Sequence, residues 1–192
     1  MTTKKILLII LIGVMAAASL VIFEFPSLLI RPVVHADIVE HYAETYKVNP
    51  FLIMAIIKEE SNFSADALSH RGATGLMQIM PATALELAEK LGYHNFELKH
   101  LQNPKTNIHL GTYYIAQLLY EFHDNKILAL AAYNAGSATV QNWYRQNQMV
   151  GVETADIPYD ETRAYVRNVL DTYRWLSWVY DLKHILRKKK NR

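Results

Sequence analysis

From Asp37 onward, apolar residues recur three and four positions apart, and no stretch alternates with the period of two that a half-buried strand needs. Ile38, Tyr42 and Tyr46 predict a helix over residues 37–46. Asn49-Pro50 reads as an N-cap followed by proline in the first turn. The run 51–57 has no polar side chain and carries that second helix to Glu60 or Ser61. Pro81 opens a third, running to Leu91, with Gly92 as its stop. Residues 107–122 place Ile108, Ile115, Leu118, Leu119 and Phe122 on one face. Gly111 inside that helix costs propensity, which implies a close packing contact. A short apolar helix over 127–132 leads into Tyr133-Asn134-Ala135-Gly136, and Val140, Trp143 and Tyr144 suggest another. After the break at Ile157-Pro158, Asp160 is expected to cap a long last helix with Val166, Val169, Tyr173, Leu176 and Tyr180 along one side. No internal repeat is present. The expected fold class is all-α, one globular domain of about 150 residues.

The pattern before Asp37 differs. Lys4 and Lys5 precede residues 6–23, a stretch of 18 residues with no charge and Ser19 as its one polar side chain. That is long enough to span a bilayer, and the lysines would hold its start in the cytoplasm. Ala16-Ala17-Ala18 before Ser19 could instead mark signal-peptide cleavage. An uncleaved anchor is preferred, because residues 20–23 continue the apolar run. Pro26 and Pro32 punctuate a connector. The expected organisation is a leader and connector over 1–34, a domain over 35–186 and a basic tail over 187–192, with the domain outside the cytoplasm, anchored to the membrane or secreted to the wall or periplasm.

Composition narrows the chemistry. The 192 residues are 51% hydrophobic and 20% charged, with a net charge of +2, which makes no case for nucleic acid. There is no cysteine, hence no disulfide, thiolate nucleophile or lipid-modified cysteine. The eight histidines show no His-Glu-x-x-His arrangement, and no phosphate loop or Gly-x-Ser-x-Gly elbow appears. No metal or cofactor is expected. The basic tail is read as a solvated helix end whose cations suit the dipole; contact with an anionic wall polymer or lipid surface is the sharper alternative.

The second helix ends in Lys58-Glu59-Glu60. A helix C-terminus and apolar walls both disfavour an ionised carboxylate, so both raise its pKa, as a general acid near neutral pH requires. Spacing does not choose between the two glutamates. Glu60 extends the row Ile53, Ile56, Ile57, and Glu59 extends Leu52, Ala55, Ile56. Taken alone, the segment is better read as a solvated helix end. Next, Gly72 and Gly75 flank Ala73-Thr74 in a turn where backbone could approach a ligand. Leu76, Met77, Ile79 and Met80 are expected to pack inward, leaving Gln78 as a lone amide that must bond to protein or to a ligand.

Glu60-Ser61-Asn62-Phe63 with Gly72-Ala73-Thr74-Gly75-Leu76-Met77-Gln78-Ile79-Met80-Pro81 resembles the catalytic domain of soluble-type lytic transglycosylases, in the goose-lysozyme-like group. Asn103-Pro104 with Asn107-Ile108 and Leu110-Gly111, then Ala131-Ala132-Tyr133-Asn134-Ala135-Gly136, then Ile157-Pro158-Tyr159 with Glu161-Thr162-Arg163 and Tyr165-Val166, follow in the family's order. The likeness covers roughly residues 37–180, and four blocks in order are far more specific than one. Ala138 stands where many relatives have glycine.

The resemblance implies a lysozyme-like fold and a peptidoglycan substrate cut at the β-1,4 bond after N-acetylmuramic acid. It places the catalytic acid at Glu60, with Glu59 a surface neighbour. Ser69, Gln78 and Met80 match positions that line the sugar groove or buttress the acid. Tyr133 and Tyr165 match tyrosines near the carboxyl, and Asn134 and Glu161 match polar groove positions. Glu60 would protonate the leaving oxygen, then take the proton of the C6 hydroxyl as a 1,6-anhydro ring closes. That intramolecular attack explains why no second carboxylate stands near in sequence, although Asp66 and Glu161 could approach through folding. The alternatives are a hydrolytic muramidase on the same fold, a non-catalytic wall-binding module, and a membrane-partner protein that packs through its last helix. The expected partners are glycan strands and, through an uncleaved leader, the membrane; the chain is expected to be a monomer.

Overall fold

The structure is a computed structural model. It describes residues 35–146 and 153–190, with side chains up to Asp181. The chain divides into two units, Met1–Ala36 and Asp37–Arg192. The expected leader and connector lie outside the described residues. Along the described residues, α1 (Ala36–Tyr46) is followed by α2 (Pro50–Ser61), α3 (Pro81–Lys90), a 3-10 turn (Leu98–Gln102), α4 (Pro104–Glu121), α5 (Lys126–Ala135), α6 (Ser137–Arg145), a short 3-10 turn (Thr154–Asp156) and α7 (Asp160–Lys190). Among the described residues the only strand-like pairings are two isolated bridges, Leu68 with Thr74 and Thr74 with Ile79. None of these helices is long and apolar enough to cross a membrane.

Two helices form the centre. In α2, Leu52 to Ile57 are all buried, as a helix apolar on every side must be. Asn49 caps its start by accepting from the Phe51 amide at 2.9 Å. In α5, Leu128, Ala129, Leu130, Ala131 and Ala132 are buried, and the small residues let α4, α6 and α7 close around it. α2 packs along α7 in antiparallel sense: Glu59 meets Asn168 and Phe51 meets Tyr180.

Several boundaries differ from the sequence expectation. α4 starts at Pro104, not at 107, because Asn103 accepts from the Thr106 amide at 3.2 Å. That is the same Asn-Pro signal that opens α2. α5 runs on through Tyr133 to Ala135, with the reversal at Gly136, where φ is +91°. Asp160 is the first residue of α7 itself, and its carboxylate pairs with Arg163 at 2.7 Å. The close contact expected at Gly111 is present: a β-carbon there would lie 2.3 Å from the Met77 sulfur.

Candidate active site

The segment between α2 and α3 forms the site's frame. It turns left-handed at Asn62, Phe63, Gly72, Gly75 and Gln78. Gly75 cannot carry a side chain: a β-carbon would sit 2.2 Å from the Asn107 amide nitrogen and 2.4 Å from the Leu101 carbonyl oxygen. Three side chains from three helices pin the stretch 76–77. Ser61, at the end of α2, donates to the Leu76 carbonyl at 2.8 Å. Asn107, fully buried in α4, accepts from the Met77 amide at 2.8 Å and donates to the Thr74 and Leu101 carbonyls, both at 2.9 Å. Tyr133, in the last turn of α5, donates to the Met77 carbonyl at 2.8 Å. Buried backbone groups in an irregular loop need such partners. Ser61 and Asn107 stand inside the quoted sequence blocks, but only the fold assigns them this work.

Glu60 is half-buried in the last turn of α2 and Glu59 is exposed, accepting from the Asn168 side-chain amide at 2.8 Å. The structure thus separates two neighbours that sequence spacing could not. Burial pushes the Glu60 carboxyl up from its ordinary 4.5 to about 7; the Tyr165 hydroxyl opposes that rise and the Glu59 charge adds to it. Asp66 is exposed and bonded to the Ser64 hydroxyl at 2.6 Å, and Glu161 is exposed in the first turn of α7. Among the described residues, Glu59 is the carboxylate whose charge adds to the rise at Glu60.

Two tyrosines stand against this carboxyl. Burial, then the Glu60 charge, drives both phenols well above their ordinary range. Tyr165 is buried, and its hydroxyl lies beside Glu60 without a hydrogen bond of ordinary geometry and with no other partner. Tyr133 spends its proton on Met77, so that proton is not available to Glu60.

A cavity of about 240 Å³ is lined by Gln78, Met80, Thr83, Tyr114, Tyr133 and Asn134, among others. Glu60 does not line it. Tyr133 connects the two, since it lines the cavity and feels the carboxylate. Gln78 is fixed by protein: its amide donates to the Ala67 and Gly75 carbonyls at 3.1 and 2.9 Å. Met80 does not pack inward as expected. It precedes the proline that opens α3 in extended backbone and is 42% exposed at the cavity rim. Asn134 accepts from the buried Thr162 hydroxyl at 2.8 Å, which ties α5 to the first turn of α7. Ser69 lines no described cavity; its hydroxyl accepts from the Ala73 amide at 3.0 Å and closes the turn around Gly72. Two larger depressions, of about 500 and 480 Å³, open around residues 119–125 and contain none of the expected site residues.

A half-buried acid at a helix end, a loop pinned from three helices and an open cavity beside them define a small helical domain built around one carboxyl that burial holds above its ordinary range. Comparison with known proteins gives the class: residues 37–154 match the family described as Transglycosylase SLT domain, and the chain belongs to this family. It is 36% identical over 145 residues to the soluble lytic murein transglycosylase of Escherichia coli K12, covering 72% of this chain and 22% of that protein. A putative soluble lytic murein transglycosylase of Haemophilus influenzae is 34% identical over 181 residues, 91% of this chain and 29% of that one. Among solved structures, an inactive mutant of lytic transglycosylase Slt from Pseudomonas aeruginosa superposes with a TM-score of 0.67 at 38% identity, over 74% of this chain and 24% of that one. The chain therefore spans under a third of the length of these relatives.

Proposed function

We propose that this chain cleaves peptidoglycan as a lytic transglycosylase, with Glu60 as its single catalytic carboxyl. The substrate is the glycan strand, cut at the β-1,4 bond between N-acetylmuramic acid and N-acetylglucosamine. Glu60 donates its proton to the departing oxygen as the anomeric carbon gains oxocarbenium character. The resulting carboxylate then accepts the proton of the C6 hydroxyl of the same muramic acid, and that oxygen bonds to the anomeric carbon. Mass and charge balance without water, and the product ends in a 1,6-anhydro ring.

The observation that carries this reading is the Glu60 carboxyl, half-buried in the last turn of α2 beside the Tyr165 hydroxyl, where burial raises its pKa to about 7. Such a group is divided between acid and base near neutral pH, which suits one residue serving both half-steps. In this scheme Tyr165 steadies the carboxylate while it is charged. Gln78, Met80, Tyr133 and Asn134 border the sugar groove, and Ser69 and Glu161 bound it further out. Residues 35–186 are taken as the catalytic domain, working outside the cytoplasm behind the leader of residues 1–34.

The test is a digest of purified cell wall with the wild-type chain and with Glu60→Gln, resolved by mass. The wild type is expected to leave anhydromuramic ends, and the variant to lose activity by about 10²-fold or more. Reducing ends alone would assign hydrolysis instead. Full activity in the variant would remove Glu60 from the chemistry.

A further inference from the structure

The last turn of α5 and the first turn of α7 meet through a hydrogen bond. Thr162 is buried, and its hydroxyl donates to Oδ1 of Asn134 at 2.8 Å. The turn that carries Thr162 is itself held, because Arg163 donates to the carbonyl of buried Ile157 from Nε at 2.9 Å and from Nη2 at 2.6 Å. Asn134 lines the cavity of about 240 Å³. A carboxamide has an acceptor end and a donor end. Here a buried partner occupies the acceptor end. The Nδ2 group bonds to none of the described residues, which leaves its N–H donors for whatever fills the cavity.

Among the described residues that line this cavity, no other polar side chain is left as a fixed donor. Gln78 spends its nitrogen on the Ala67 and Gly75 carbonyls, and Tyr133 spends its proton on Met77. Thr83 and Tyr114 carry hydroxyls, which donate or accept as a ligand requires. Sugar hydroxyls can likewise take either role. An amide carbonyl can only accept, and a protonated amine can only donate. A fixed donor therefore favours the first and rejects the second, because a donor that faces a donor stays unpaired.

We propose that Thr162 is a positioning residue for substrate selection. It fixes Asn134 as the donor to an N-acetyl carbonyl of the bound glycan, so the cavity takes N-acetylated sugars and disfavours de-N-acetylated ones. This selection rests on the glycan reading of the site given above and adds the group that the cavity recognises. The lactyl and peptide carbonyls of a wall strand are acceptors of the same chemistry, so the binding probe has to lack both.

The binding arm uses the full chain as Glu60→Gln and a hexamer of N-acetylglucosamine, which has neither lactyl nor peptide groups. Asn134 has its own side-chain amide signals in the NMR spectrum. The N-acetylated hexamer is expected to move the Asn134 Nδ2 proton signals. The glucosamine hexamer, protonated at about pH 6, should leave them in place and bind at least about tenfold more weakly. Asn134→Asp should abolish or reverse that preference, since a carboxylate accepts from an ammonium. This variant keeps an acceptor for Thr162, so it tests the donor even where Thr162→Val does not fold. The catalytic arm keeps Glu60 and uses wall glycan. Thr162→Val is expected to raise KM about fivefold with kcat within about twofold, and Thr162→Ser to restore most of the loss. A joint fall in kcat and thermal midpoint would make Thr162 a structural tie and overturn its positioning role. Unmoved Asn134 signals, equal affinity for the two hexamers, or a shift seen only with lactyl-bearing glycan would overturn the N-acetyl assignment. A chain that leaves wall glycan uncut would strike the transglycosylase reading, and the binding arm would still decide this one.

Discussion

The Glu60 carboxyl is an unfavourable side chain for the fold at neutral pH, and the sign follows from its shift. Its folded pKa, about 7, lies above the ordinary 4.5, so the folded chain holds this proton more tightly than the unfolded chain does. The contribution is complete below pH 4.5 and is lost as pH rises to 7, by up to about 3 kcal/mol before solvent screening. Glu60→Gln has no charge to bury. Urea unfolding should find the variant equal to wild type near pH 4 and more stable at pH 8 by about 1–3 kcal/mol. The same difference at both pH values would mean that burial does not raise this acid. Tyr165 acts in the opposite direction, since its hydroxyl favours the charged carboxyl. Tyr165→Phe should move the alkaline limb of kcat/KM up by a fraction of a unit to about one unit and lower kcat roughly tenfold. Stability should change by less than about 1 kcal/mol, because the lost hydroxyl makes no ordinary hydrogen bond. An unmoved pH profile would show that Tyr165 only fills space.

At the scale of elements, the site depends on how the loop after α2 is held against α4 and α5. Met77 is the centre: its amide and carbonyl are bonded to Asn107 and Tyr133, and its side chain lies on Gly111. Gly111→Ala improves helix propensity by about 1 kcal/mol, yet its β-carbon would come within 2.3 Å of the Met77 sulfur and 2.9 Å of its β-carbon. Only part of that clash can be relieved by the flexible thioether. The expected net effect in thermal unfolding is a loss of about 1–3 kcal/mol, with a larger fractional loss of activity as the loop shifts. A neutral or stabilised variant would show that α4 and the loop are not in tight register. The glycine and its close contact were legible in the sequence as a propensity cost. Asn107 was not, because a buried asparagine that bonds three backbone groups has the same local spacing as one exposed to water. Met80 misled for a related reason: hydrophobicity predicts burial, but a residue just ahead of a proline-started helix is turned out by the backbone.

At the scale of the molecule, periodicity gave the all-helical class and the existence of each main helix, since 3.6-residue spacing is imposed by burial on one face. It did not give the antiparallel pairing of α2 with α7, which joins residues more than a hundred positions apart and decides that Glu60 turns inward while Glu59 meets Asn168. That pairing has a further consequence. The contacts described for α7 run from Thr162 with Asn134, through Asn168 with Glu59, to Tyr180 with Phe51. Phe51 belongs to the first turn of α2, so the described pairing runs the length of that helix. A chain ending at Asp181 keeps every contact named here between α7 and the rest of the domain. Its thermal midpoint should then stay within about 2 °C of the full chain, a change of less than about 1 kcal/mol, and its activity on detached glycan within about twofold. A midpoint lowered by more than about 5 °C would instead show that the residues after Asp181 support the domain.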